Sequence, residues 1–256
     1  GSSATVSISN STVSGNTAVA GCGGIYNGTG ALTVTSSTIS NNSATNSSTL
    51  GNAVGGGIGN FGIAIVINST ISGNSVTGTY SEVGGGIYST SSMTLINSTV
   101  TANSTTGTSS GRGGGIYSTG SMTLVNSTVT ANSASYSAGG VYLSGNNNFL
   151  HNTVIAGNVA ANYPQAYGTV RTYSSHNLIS YGVGLSGITN GANGNQIGVG
   201  TPIDPMLGPL QDNGGPTWTH APLPGSPLID AGNDAQALDA KGKPLLVDQR
   251  GFVRRF

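Results

Sequence analysis

The sequence predicts an all-β protein: a right-handed parallel β-helix, or solenoid, with three short strands per coil and a Pro-rich C-terminal cap. Three observations carry that expectation. A near-identical block recurs at a short, almost constant step, each block alternates in the manner of strands, and composition changes abruptly near residue 200.

The block is clearest at Gly113–Asn132 and Gly84–Asn103, where only Ser91 against Gly120 and Ile96 against Val125 differ. The step from Gly84 to Gly113 is 29 residues, a period typical of stacked arrays. Looser Gly-Gly-Ile-Tyr words occur at Gly23–Tyr26, at Gly55–Gly59 and, as Gly-Gly-Val-Tyr, at Gly139–Tyr142. Aligning the Asn-Ser-Thr words places a Thr at 12, 38, 70, 99, 128 and 153, with steps of 26, 32, 29, 29 and 25. A step that varies by a few residues implies a constant core with one elastic loop.

Within a block, Met122-Thr-Leu-Val-Asn126 alternates, with Met122 and Leu124 on one face and Thr123 and Val125 on the other. Ile116 and Val129 mark two further β-rich runs bounded by Gly, Asn and Ser. Gly-Gly-Gly excludes helix, since each Gly costs ~1 kcal/mol there relative to Ala. Three strands per coil, each paired in parallel with its equivalent one coil on, satisfy these constraints. Asn10, Asn68, Asn97 and Asn126 are then expected to stack at one corner. Asn16, Asn42, Asn74, Asn103, Asn132 and Asn158 stack at another, their amides bonding along the axis. The elastic loops fall at residues 43–54, 75–83 and 104–112.

Three regions follow: regular coils over 1–160, degenerate last coils over 161–200, and a Pro-rich capping segment over 201–256. The first 200 residues contain only Glu82, Arg112 and Arg171 as charged side chains, and no Pro precedes Pro164. Eight of the nine Pro fall from Pro202 to Pro244, which excludes central strands there. Trp218, Leu207, Leu210, Leu223, Leu228 and Ile229 are expected to dock this segment over the solenoid end, where an open edge needs a cover.

Charged residues make up 5% of the chain, against ~25% in ordinary domains. Net charge is zero and no basic stripe exists, which argues against nucleic acid. No apolar run reaches the length of a membrane span. Cys22 is alone and reads as a small buried hydrophobe. The coils hold one carboxylate, Glu82, so the paired carboxylates of a glycosidase or the clustered ligands of a metal site cannot be assembled on them. No catalytic residue, metal ligand or cofactor site is expected. A polysaccharide-degrading enzyme remains only the weakest alternative. Asp248 and Arg250 are read as a local ion pair, and the Asn-Ser-Thr glycosylation pattern as a by-product of the ladder.

In the C-terminal region, His176-Asn-Leu-Ile, Ile203-Asp-Pro-Met-Leu-Gly-Pro-Leu-Gln-Asp-Asn-Gly-Gly-Pro-Thr217, Leu223-Pro-Gly-Ser-Pro-Leu-Ile-Asp-Ala-Gly-Asn233 and Asp248-Gln-Arg-Gly251 resemble bacterial right-handed β-helix repeat surface proteins with a choice-of-anchor Q-like region. That resemblance implies a secreted or surface-displayed β-helix, an extracellular setting and a structural or adhesive role.

Two outward rows are candidate binding surfaces. Tyr26, Tyr88, Tyr117 and Tyr142 form an aromatic column if each neighbouring Ile points inward, suited to a glycan or another surface ligand. Thr99/Thr101 and Thr128/Thr130, with Thr12/Ser14, Thr38/Ser40, Thr70/Ser72 and a sixth row at Thr153/Ile155, form two columns like those of ice-binding solenoids. Apolar positions Val6, Ile8 and Val13 in the first coil, with few charges nearby, suggest head-to-tail self-association through coil ends.

Overall fold

The computed structural model describes residues 4–46, 53–79, 82–107 and 110–254. One central coil shows how the chain winds. Ile87–Ser89, Met93–Ile96, Thr99–Thr101 and Ser104–Gly107 run in succession around four sides, and each pairs in parallel with its equivalent in the coils before and after. These sides are called the Tyr, Leu, Thr and Ser faces, each after a residue that recurs on it. The four sheets contain seven, six, eight and six strands respectively. The protein is thus a parallel β-solenoid. Its only helical pieces among the described residues are two short 3₁₀ turns. None of these is long and apolar enough to cross a membrane.

The expectation of three strands per coil is corrected to four. The additional strands, Ser43–Asn46, Ser75–Gly78 and Ser104–Gly107, open the segments that read as elastic loops. Ala44, Val76 and Thr105 turn fully inward from these strands, and Asn46 is buried beside Ala44. One or two inward residues per strand are too short a signal for alternation to reveal. Ala44 and Val76 form a small second core with Ala53, apart from the main one.

The main core is a set of columns. Ile58, Ile87 and Ile116 come from the Tyr face, Val66, Leu95 and Leu124 from the Leu face, and Ile71, Val100 and Val129 from the Thr face. All nine are at 0% exposure, so each contributes about 1.5–3 kcal/mol by transfer from water.

Corners are built from a left-handed residue followed by an inward polar one. Asn68, Asn97 and Asn126 take φ of 51°, 47° and 49° between the Leu and Thr faces, a conformation Asn tolerates better than most residues. The side chain stacked behind them is Ser, not Asn. The Oγ atoms of Ser37, Ser69, Ser98 and Ser127 each accept the backbone N–H of the matching Ser one coil earlier, at 3.1–3.3 Å. Part of the first expected Asn ladder does form, since Asn126 donates to Asn97 and Asn152 to Asn126.

The second ladder runs unbroken. Asn16, Asn42, Asn74, Asn103, Asn132 and Asn158 each donate Nδ2–H to the next amide oxygen at 2.8–3.1 Å, ending on Gln165. From Asn42 onward each Nδ2 also donates to a backbone carbonyl two coils back from its acceptor, such as Ile71 O for Asn103. Each Oδ1 from Asn42 on accepts both the backbone and the side-chain N–H of the preceding Asn. A carboxamide has two donors and two acceptor sites, so the interior rungs are saturated. The glycine word covers them: a Cβ on Gly86 would stand 3.0 Å from Asn103 Cγ and 2.7 Å from the Gly115 carbonyl oxygen. Only a bare backbone lets adjacent coils close over the ladder and keep it dry.

The C-terminal segment is not an end cap. Its hydrogen bonds fall along the Thr face. Thr70 donates to the Trp218 carbonyl at 2.6 Å, Thr99 to Gln249 Oε1 at 2.8 Å, Thr217 to the Asn68 carbonyl at 3.2 Å, and Gln249 Nε2 to Thr70 at 3.0 Å. Nor is the docking chiefly apolar, since Trp218, Leu223 and Ile229 remain exposed. The Thr hydroxyls attract a polar strap because, in a sheet face with no charges, they are the groups left to be satisfied.

Candidate functional site

The Tyr face fixes a column of rings because Ile and Tyr alternate in a three-residue strand. Ile87, Ile116 and Val141 point inward and are fully buried, so Tyr88, Tyr117 and Tyr142 must point outward. Parallel register then brings them side by side: Tyr88 opposite Tyr117, Tyr117 opposite Tyr142, and Tyr142 opposite Tyr167. Ring centroids lie 5.8, 4.9 and 4.8 Å apart and interplanar angles are 13°, 12° and 28°. Such offset stacking contributes about 0.5–1.5 kcal/mol per pair beyond burial.

Between Tyr26 and Tyr88 the register position is Gly59. Phe61, two residues on, fills the gap, with centroids 5.3 Å from Tyr26 and 5.5 Å from Tyr88. Gly59 is required because the Cys22 sulfur occupies the place of its missing side chain. Cys22 is half-buried, and burial pushes its thiol up to about 11, so the sulfur acts as an apolar filler. Tyr163 extends the far end, 5.0 Å from Tyr167. The column is therefore Tyr26, Phe61, Tyr88, Tyr117, Tyr142, Tyr167 and Tyr163. Phe61 lies outside any Ile-Tyr word, and the word around Tyr167 is degraded to Ala166-Tyr-Gly168. Spacing from Tyr142 would have found the second; nothing local signals the first.

Stacking along the axis turns ring faces toward one another, so a ligand meets ring edges and hydroxyls. The stacking loosens toward the ends: Tyr26, 67% exposed, is tilted 41° from Phe61, Phe61 55° from Tyr88, and Tyr163 36° from Tyr167. Desolvation raises the pKa of Tyr88, with Tyr117 and Cys22 adding to it, and desolvation likewise raises that of Tyr142 against the opposing Arg112 charge. Their hydroxyls remain hydrogen-bond donors at neutral pH. The Arg112 guanidinium sits 5.5 Å from the Tyr136 ring and 5.7 Å from the Tyr142 ring. Beside the column, Ser144, Asn146, Thr169 and Ser186 line a polar groove with Tyr142 and Tyr167 as its aromatic wall.

The Thr columns are brought together but not left open. Thr99 and Thr101 are 2% and 1% exposed, Thr130 is buried, and Thr128 is half-buried beneath the C-terminal segment. His220 Nε2 lies 3.1 Å from the Thr101 hydroxyl. The sixth row is Val154/Ala156, not Thr153/Ile155, because Thr128 pairs with Val154 and Thr153 continues the buried Ser column. His151 belongs to a Leu-face strand, opposite Val125. The covered rows run from Thr70 to Thr130, whereas Thr12 and Ser14 remain exposed.

Glu82, the one carboxylate of the regular coils, is 1% exposed, packed against Gly78 and Gly107. Asp248 and Arg250 form the expected ion pair at 2.6 Å. Among the described residues, no three His, Cys, Asp or Glu side chains gather as a metal site. No family model, curated protein or solved structure matches the chain.

Proposed function

We propose that the protein is an extracellular structural or adhesive β-solenoid, without a catalytic site, that engages a neutral glycan along its aromatic column and the adjoining groove. The observation that carries this reading is the column itself: seven rings in contact along the solenoid, held in register by backbone pairing and fringed by uncharged hydroxyl and carboxamide groups. A repeating rigid row suits a repeating ligand, and weak edge-on hydrogen bonds add up over several coils. The near absence of charge on the coils favours a neutral partner over an acidic one. The wording of the C-terminal segment, with its likeness to secreted bacterial β-helix proteins, supports the extracellular setting.

The test is co-sedimentation with insoluble neutral polysaccharides, comparing the native protein with the double substitution Tyr88→Ser and Tyr117→Ser. We expect binding to fall at least about fivefold, as loss of two or more cooperating contacts requires, with the far-ultraviolet circular dichroism unchanged. Equal binding by both proteins, or none by the native one, overturns the reading.

A further inference from the structure

The C-terminal segment does not lie flush on the Thr face. Between the two runs a cavity of about 320 Å³, walled by Asn97, Asn126 and Thr128 from the coils and by Arg250, Arg254 and His220 from the segment. We propose that this cavity is a binding site for a small hydroxyl-bearing carboxylic acid of monosaccharide size, the hexuronate class. It is separate from the aromatic column and does not depend on the function proposed above.

The hydrogen-bond accounting points to an acceptor-rich ligand. Burial favours the neutral form of His220; its Nδ1 donates to the Gly208 carbonyl at 2.7 Å, and in the neutral ring Nε2 then accepts from Thr101. Asp248 is already saturated. Its Oδ2 takes Nε and Nη2 of Arg250, and its Oδ1 takes the backbone N–H groups of Arg250 and Phe252. That leaves Arg250 Nη1 with one long contact, 3.4 Å to the Asn213 carbonyl. Arg254 touches a half-exposed Asp234 at 3.3 Å through Nη2, while its Nε is buried with no partner. Asn97 and Asn126 each spend one amide proton, on the Val247 carbonyl and on Asn97 Oδ1, and keep the other.

Open donors thus outnumber open acceptors, and of the three charges on the wall two are guanidinium groups. A carboxylate in the cavity would accept charge-assisted hydrogen bonds from the guanidinium groups of Arg250 and Arg254 on its wall. A bare anion would fill only part of the space. The volume stands at the small end of ligand sites, and the carboxamides and the Thr128 hydroxyl are matched by the hydroxyls of a sugar acid.

Calorimetric titration of the full chain with glucuronate, glucose and acetate, at equal ionic strength, tests this. Glucuronate is expected to bind at least about tenfold more tightly than either fragment of its chemistry, and Arg254→Gln to weaken it by about tenfold or more, as for a lost charge-assisted hydrogen bond. Thr128→Val, which keeps the shape of the side chain, should weaken it several-fold. The Tyr88→Ser, Tyr117→Ser protein should bind as the native one does. Acetate binding as tightly as glucuronate, glucuronate affinity untouched by both Arg254→Gln and Thr128→Val, or no glucuronate binding at all would each overturn the proposal.

Discussion

Replacing Asn103 by Ala removes one interior rung of the amide ladder, and its cost follows from the bonds it strands. In the native protein Asn103 Oδ1 accepts the backbone N–H of Asn74 at 3.0 Å and the side-chain N–H of Asn74 at 2.9 Å. Both donors lose their acceptor, and Asn74 is 0% exposed. On the other side Asn132 Oδ1 keeps the backbone N–H of residue 103 and so is not orphaned. Two buried unsatisfied donors at ~1–3 kcal/mol each give a loss of about 2–6 kcal/mol. Asn16, the first rung, provides the control. It donates to Asn42 and to the Ser14 carbonyl, accepts nothing through its side chain, and is exposed. Asn16→Ala should therefore cost less than about 1 kcal/mol, as a surface substitution does. Urea unfolding followed by circular dichroism measures both. If Asn103→Ala lies within 1 kcal/mol (about the value of one hydrogen bond) of Asn16→Ala, the ladder is decoration and the argument from saturated amides fails.

Three other perturbations have defined outcomes. Gly85→Ala would drive a methyl group into the backbone carbonyls of Gly114 and Ser104, which cannot rotate away, and should cost about 3 kcal/mol or more, whereas Gly242→Ala, with open space and φ 76°, should cost only ~1–2 kcal/mol. Equal thermal shifts for the two would refute the close-approach explanation of the glycine word. His220 is lowered from its ordinary 6.5, chiefly by burial, with the Gly208 bond pulling the other way. The unfolded chain then takes up the proton first, so the stabilisation is complete above about pH 6.5 and is lost as pH falls through the depressed folded value. Hydrogen exchange at Thr99–Thr101 should rise over that window in the native protein and not in His220→Gln; a flat profile refutes the assignment. Cys22, with its thiol near 11, should react with iodoacetamide at pH 7.4 roughly 100-fold more slowly than an unperturbed thiol, and labelling at the free rate would show the sulfur is not packed over Gly59.

The parts of the structure legible in the sequence are those that neighbouring coils decide between themselves. Parallel register is self-similar: Thr70 finds Thr99 and Tyr88 finds Tyr117 because identical words stack best in phase. The unbroken Asn ladder and the Tyr rings of the column follow from the same rule, so both were readable from spacing alone. The Ser faces were not, because one or two inward residues per strand leave no pattern. Phe61 was not either, since its place depends on Cys22 taking the room above Gly59.

What the sequence by itself determined is therefore the period, the parallel pairing, the inward Ile, Leu and Val columns and the outward rings. Only the tertiary structure decided that each coil has four sides, that the sixth Thr-face row is Val154/Ala156, and that residues beyond 203 lie along the Thr face instead of across the end. That last choice joins groups such as Thr99 and Gln249, 150 residues apart, through hydrogen bonds between segments of unlike sequence. A repeat specifies contacts with its own copies. A partner that shares no word with it is chosen by which unsatisfied hydroxyls remain once the coils have closed.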